Sequence, residues 1–142
     1  MKHHVIAPAV GVVSVLATLV VSTPAEAQAV DLCNFGGGAG LCTYWGQSYN
    51  GAQVEIVNDR SDLAASPVVY YPANGTGQGE HVYNNNGSEH NGNGSCSVTI
   101  YYNPGYSSYS VTMAPYGQPG AAKAGSHLGN VLNNIRSLRY NC

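Results

Sequence analysis

Charge is what this sequence has least of. Its 142 residues carry 5 Lys and Arg against 7 Asp and Glu, 8% charged side chains and a formal net charge of -2, where soluble domains carry about a quarter. Past the first 27 residues the strong bases are Arg60, Lys123, Arg136 and Arg139, spread singly or nearly so. No basic track exists to hold phosphates, so nucleic acid is not an expected partner. Catalytic spacings are missing too. His81, His90 and His127 stand beside six carboxylates in this region, but none falls in His-Glu-x-x-His or Gly-x-Ser-x-Gly, and no phosphate-cradling glycine loop leads into a helix. The two Glu-His pairs, Glu80-His81 and Glu89-His90, flank an Asn/Gly-rich stretch and read as solvated loop residues. A non-enzyme is expected. No Cys-x-x-Cys pair is present, which argues against zinc.

The long apolar runs are equally few, and the one that stands out lies at the start. Lys2 precedes an uncharged stretch over 5–21, which breaks at Ser22-Thr23-Pro24 and reaches Ala25-Glu26-Ala27. A basic head, a hydrophobic centre and a small-x-small end are the pattern of a secretory signal peptide. Residues 1–27 are therefore expected to be a leader cleaved before Gln28, with cleavage after Ala29 as the alternative. Pro8 and Gly11 disfavour an uncleaved anchor. The expected product is a secreted, monomeric chain over 28–142 with no membrane attachment.

What the chain has in place of charge is amides, hydroxyls and aromatic rings: 11 Tyr, 18 Gly and many Asn and Ser. All four cysteines, Cys33, Cys42, Cys96 and Cys142, lie past the leader. An even number in a small exported domain reads as two disulfides. Three pairings are possible. Cys33 with Cys42 and Cys96 with Cys142 is favoured, since it closes a short glycine-rich loop and ties the chain end, but the sequence does not decide among the three.

Period-two alternation dominates the rest. Val98, Ile100 and Tyr102 alternate with Ser97, Thr99 and Tyr101, the pattern of a half-buried strand. Shorter runs at 41–45, 52–57, 68–71, 81–83, 109–113 and 137–140 are separated by turn formers such as Asn50-Gly51, Asn74-Gly75 and Asn103-Pro104-Gly105. Many short strands between frequent turns predict an all-β sandwich. Residues 121–135 are the longest stretch suited to a helix, interrupted by Gly125 and Gly129, so a turn or two is expected there and another at 59–65. The chain also repeats itself. Tyr44, Trp45 and Tyr49 meet Tyr101, Tyr102 and Tyr106 at an offset of 57 residues, and Asn84-Asn85-Asn86-Gly87-Ser88 meets Asn133-Asn134-Ile135-Arg136-Ser137 at an offset of 49. Each half has the same order: aromatic hairpin, long connection, Asn-Asn-x-x-Ser.

These residues resemble the βγ-crystallin fold, whose Greek-key motif opens with an aromatic hairpin ending in aromatic-x-Gly, here Tyr49-Asn50-Gly51. The second half departs by placing Ser108 where that glycine is expected, and Glu89 and Leu138 follow the two Asn-Asn segments in place of a final serine. The resemblance implies a βγ-crystallin-like Greek-key β-sandwich with two related halves, about 33–90 and about 96–142. Within that fold the chain is most similar to the secreted actinobacterial proteins of peptidase inhibitor family I36, whose founding type is a Streptomyces metallopeptidase inhibitor. The stretches that carry this similarity include Leu41-Cys42-Thr43-Tyr44, Gly77-Gln78-Gly79, Val82-Tyr83-Asn84-Asn85-Asn86 and Val98-Thr99-Ile100-Tyr101-Tyr102.

The I36 resemblance implies a partner, an extracellular peptidase, with no cofactor required. An inhibitor needs a rigid exposed segment, and the loop closed by Cys33 and Cys42 and the residues Ser95, Cys96, Ser97 and Val98 beside a cysteine are the candidates, although 91–94 reads as flexible. The βγ-crystallin resemblance implies calcium at Asn84, Asn85, Ser88, Asn133, Asn134 and Ser137. Neutral Asn at the paired positions predicts weak affinity, and the competing role of these residues is to hydrogen-bond their own turns. Two other roles stay open. One is a carbohydrate- or cell-wall-binding module using exposed Tyr44, Trp45, Tyr102 and Tyr109, and the other is a killer-toxin-like secreted protein.

Overall fold

The computed structural model describes Cys33, 38–70 and 76–142. The leader expected over 1–27 lies outside the described residues, as do most of the glycine-rich loop between Cys33 and Cys42 and the Asn74-Gly75 turn. No helix among the described residues is long and apolar enough to cross a membrane. Among the described residues seven strands form two antiparallel sheets: β1 Leu41–Tyr44, β2 Gln53–Ile56, β3 Ser88–Asn91, β4 Ser97–Asn103, β5 Ser107–Met113, β6 Ala122–Ala124 and β7 Ser137–Asn141. Sheet order is β2-β1-β3-β6 in one and β5-β4-β7 in the other. The fold is the expected all-β sandwich of two antiparallel sheets.

Each sheet starts from a hairpin, β1 with β2 or β4 with β5, and adds the strand that follows an Asn-Asn segment, β3 or β7. The next neighbour comes from the other half. Strand β6 pairs with β3, and Arg60 makes a bridge with Leu138 of β7. The halves therefore exchange contacts at an edge, a strand in one direction and a single bridge in the other.

Alternation within the strands explains the core. Val98 and Ile100 of β4, Met113 of β5, Leu138 of β7, and Leu41, Val54 and Ile56 of the other sheet all turn inward and are buried. Leu63, Val82, Leu128, Val131 and Ile135 from the connections join the same cluster. Burying a side chain of this size stabilises by about 1.5–3 kcal/mol. Tyr102, expected on the same face as Val98 and Ile100, is exposed instead: it lies near the end of β4, opposite the extra residue that β5 carries where the register shifts between Tyr101 and Asn103.

Several local expectations change. The 121–135 stretch becomes the short strand β6 followed by a 3-10 helix, Gly125–Val131, kinked at Gly129. Val69 and His81 make one isolated bridge where two strands are expected. Strand β3 is new: Ser88, Glu89, His90 and Asn91 are all buried between β1 and β6. Glu80 and His81 are exposed as expected, but Glu89-His90 is part of the interior, not a solvated loop.

Cys96 and Cys142 form the expected disulfide. The Cys33–Cys42 bridge is not formed: both are buried thiols, hydrogen-bonded side chain to side chain against Tyr44. That hydrogen bond, with burial, holds the Cys42 thiol well above its ordinary range.

Glu89 is fully buried. Its Oε1 accepts from Thr43 Oγ1 at 2.9 Å, and Thr43 Oγ1 is 3.1 Å from Tyr70 Oη. The Asn86 amide faces the same carboxyl, but neither Asn86 Nδ2 nor Glu89 Oε2 completes a hydrogen bond. Burial raises the carboxyl well above the usual range, so the protonated form is the one the fold accepts. Stability from this group is full below the unfolded value of about 4.3 and is lost as pH rises through the higher folded value. Glu89→Gln, with its amide oxygen turned to Asn86, is expected to melt about 5 °C or more above the parent at pH 8, with the gap closing by pH 4. Calorimetric melting of both proteins across this range checks it, and a gap that does not vary with pH contradicts it.

Candidate functional site

The offset repeat in the sequence becomes a repeated piece of geometry. Tyr49 and Tyr106 both take left-handed φ, 54° and 58°, at the fold-over of the two hairpins. Each backbone N–H so presented is captured by a serine from the equivalent Asn-Asn segment: Tyr49 N donates to Ser88 Oγ at 2.9 Å, and Tyr106 N to Ser137 Oγ at 3.1 Å. Each hydroxyl then donates onward to a carbonyl of the same hairpin, Gly46 O at 2.5 Å or Asn103 O at 2.6 Å. The rings follow the backbone. Tyr44 meets Tyr49 edge to face at 5.8 Å, and Tyr101 meets Tyr106 at 5.9 Å.

Gly51 takes φ 80° and Ser108 takes φ 73° at the equivalent place. A left-handed conformation costs an L-residue about 1–2 kcal/mol, and the exposed Ser108 side chain makes no hydrogen bond to offset it among those described. Ser108→Gly removes this strain but frees the unfolded chain. A net rise of about 2–5 °C in melting temperature is expected by calorimetry, and a fall contradicts the strain.

The Asn-Asn segments join the halves reciprocally. Asn84 N donates to Ile135 O at 3.2 Å and Asn133 N to Asn86 O at 2.9 Å. Asn84 and Asn133 share left-handed φ, 61° and 56°. Their second members are tied to their own turns, Asn85 Nδ2 to His81 O and Asn134 Nδ2 to Leu132 O. Two open clefts lie beside these segments. One, of about 500 Å³, is lined by Trp45, Gly46, Gln47, Asn84, Asn85 and Asn133. The other, of about 470 Å³, is lined by Tyr102, Tyr109, Gly129, Asn130, Leu132 and Asn134.

Of the six residues expected at calcium, the structure thus brings Asn84, Asn85 and Asn133 to one cleft and Asn134 to the other, and sets Ser88 and Ser137 under the hairpins as clamps. Calcium takes six to eight oxygens and gains affinity from carboxylate charge. No carboxylate lines either cleft, and no group of three or more His, Cys, Asp and Glu suited to a metal occurs among the described residues. Asp62 is engaged elsewhere: it accepts from Ala64 N and pairs with Arg136 at 3.1 Å. The backbone bond to Ala64, then Arg136, holds its carboxyl below the ordinary value. The set fits only a weak neutral-oxygen calcium site.

The segment proposed for peptidase contact is built differently from the sequence expectation. Asn93 Oδ1 accepts from both Ser95 N, 2.9 Å, and Cys96 N, 2.8 Å, and Asn93 N donates to Asn91 Oδ1. Asn91 Nδ2 donates to Cys96 O and Ala114 O, and Asn93 Nδ2 to Ala39 O. Six hydrogen bonds to the two Asn side-chain amides and a disulfide at its end make 91–96 an ordered turn where the Asn/Gly composition reads as flexible. Gly94 and Ser95 are its exposed tip. Ser97 is half-buried and Val98 is fully buried in β4, so Val98 belongs to the core and not to a presented loop. Asn93, which sequence reasoning passed over, is the residue that shapes the turn; an Asn two residues before a serine is a signal for this geometry.

No protein-family model matches the sequence, and no curated protein sequence matches it. Solved structures do match the fold. One, described as bearing on the evolution of the eye-lens βγ-crystallin domain fold, superposes with a TM-score of 0.57 at 9% identity, covering 78% of this chain and 93% of that one. A βγ-crystallin from Ciona intestinalis superposes with a TM-score of 0.50 at 14% identity, covering 71% of this chain and 98% of its own. The class so defined is a βγ-crystallin-like domain of two exchanged Greek keys. At such identity the likeness is of fold.

Proposed function

We propose that this protein is an exported peptidase inhibitor that presents the 91–96 turn to an extracellular peptidase, with the Gly94-Ser95 tip entering the cleft. The observation that carries the reading is the double acceptor role of Asn93 Oδ1 at Ser95 N and Cys96 N. An inhibitory segment has to hold one conformation in the enzyme, because ordering it on binding subtracts from affinity and mobility favours cleavage. The turn is braced from three sides: Ala39 before β1, Ala114 after β5, and the disulfide from Cys96 to the chain end. Tyr116 N donates to Asn93 O and adds a fourth support. The resemblance to family I36 points to a metallopeptidase as the first target. The absence of charge at the tip suits an enzyme cleft that takes small neutral residues.

Inhibition assays against purified extracellular metallo- and serine peptidases test this. Inhibition at about 1–10 µM or tighter is expected for at least one metallopeptidase, and Asn93→Ala is expected to weaken it at least about tenfold while speeding cleavage between residues 93 and 96. No inhibition in either class at about 10 µM, or inhibition untouched by Asn93→Ala, contradicts the proposal.

A further inference from the structure

The cleft beside the second hairpin has a composition that the inhibitor reading does not use. Large apolar side chains exposed among the described residues are Val57, Tyr102, Tyr109 and Tyr116, and two of these four converge on this one cleft. Tyr109 is 62% exposed and Tyr102 38%. Their rings meet nearly at right angles, 82°, with centroids 6.2 Å apart. They form a corner and not a flat platform. The opposite wall is polar and neutral: Asn130 is exposed, and Asn134, whose Nδ2 is held by Leu132 O, keeps its Oδ1 for another partner. The floor includes Gly129 with φ 54° and ψ -132°, a conformation open to glycine alone. No atom lies within 4 Å of where a Cβ at Gly129 would be, so its backbone stands bare toward open space.

We infer that this cleft binds a single neutral pyranose ring, at the end or along a soluble stretch of a glycan. A pyranose has an apolar C–H face and a rim of hydroxyls. The corner of Tyr102 and Tyr109 matches the face, with one ring stacked and the other flanking. The amides of Asn130 and Asn134 match the rim, and a floor without a side chain lets the ring approach the backbone. No charged residue lines the cleft, which disfavours a phosphorylated or sulfated ligand and matches a neutral one. The volume, about 470 Å³, is that of a site for one or two sugar units. A second cleft with the same chemistry, one aromatic ring and three Asn, lies by the first hairpin at Trp45. Trp45 is offset by 57 residues from Tyr102, and Asn85 by 49 from Asn134, so the arrangement recurs with the repeat. The right-angle corner excludes the flat surface of a crystalline polysaccharide. Glycan binding here stands independently of peptidase inhibition.

The test is titration of the protein with soluble hexamers of glucose, N-acetylglucosamine, mannose and xylose, followed by tyrosine fluorescence and calorimetry, with crystalline cellulose as an insoluble comparison. Binding to at least one hexamer is expected, unchanged by sodium chloride up to about 0.5 M because no charge takes part. Tyr109→Ala and Tyr102→Ala should each weaken it at least about tenfold while melting like the parent, and Tyr116→Ala, an exposed tyrosine outside the cleft, should leave it unchanged. Lack of binding to every hexamer overturns the inference. So does binding that survives both cleft substitutions, or retention on crystalline cellulose alone.

Discussion

Two serine hydroxyls hold this molecule's plan together. Ser88 and Ser137 each accept from the N–H of a tyrosine in left-handed conformation and donate to a carbonyl on the other side of the same hairpin. A hairpin folded over in this way exposes backbone groups that its own ladder does not satisfy, and an orphaned buried group costs about 1–3 kcal/mol. The serine answers both groups with one side chain. Because each serine begins the strand that follows its Asn-Asn segment, fixing the hairpin also fixes where β3 and β7 enter their sheets. Tyrosine pairing, cleft shape and strand order follow from that placement.

The exchange of edges makes the two halves depend on each other. Sheet order runs from β3 to β6 across the halves, and Arg60 returns the exchange by bridging to β7. Tyr140 adds a lock between layers: its hydroxyl accepts from Leu41 N at 2.6 Å and donates to Ile56 O, so one side chain of β7 bridges the ends of β1 and β2. Burial pushes that hydroxyl's pKa above its ordinary value, keeping it a donor. Glu89 is the costly element of the same interior. It sits at 0% exposure in a strand of four polar residues, whose other three are each held by a hydrogen bond or a packed ring.

The repeat was the part of the fold most legible in the sequence, and the backbone shows why. Tyr49 with Tyr106, Gly51 with Ser108, and Asn84 with Asn133 each share a left-handed φ at their offsets of 57 and 49. Such positions constrain residue type, so they leave a trace. Strand β3 left none: Ser88-Glu89-His90-Asn91 has no apolar alternation, because its side chains are satisfied by Gly46, Thr43, Tyr116 and Cys96, not by hydrophobic contact. Strand β6 is three residues long and is a strand only because β3 lies beside it. The 91–96 turn misled for the opposite reason. Asn and Gly signal chain freedom by composition, while the Asn amides remove that freedom through bonds to residues about 20 and 50 positions away, which no local reading contains.

The claim that the hydroxyl clamps organise both halves is tested most directly by hydrogen exchange at two amides. Tyr49 and Tyr106 lie at exposed hairpin turns, where an unclamped N–H exchanges at nearly the rate of an open chain. Both are expected to be protected about as well as the amides of β4, and Ser88→Ala to release Tyr49 while leaving Tyr106 protected. Rapid exchange at both amides in the intact protein would contradict it.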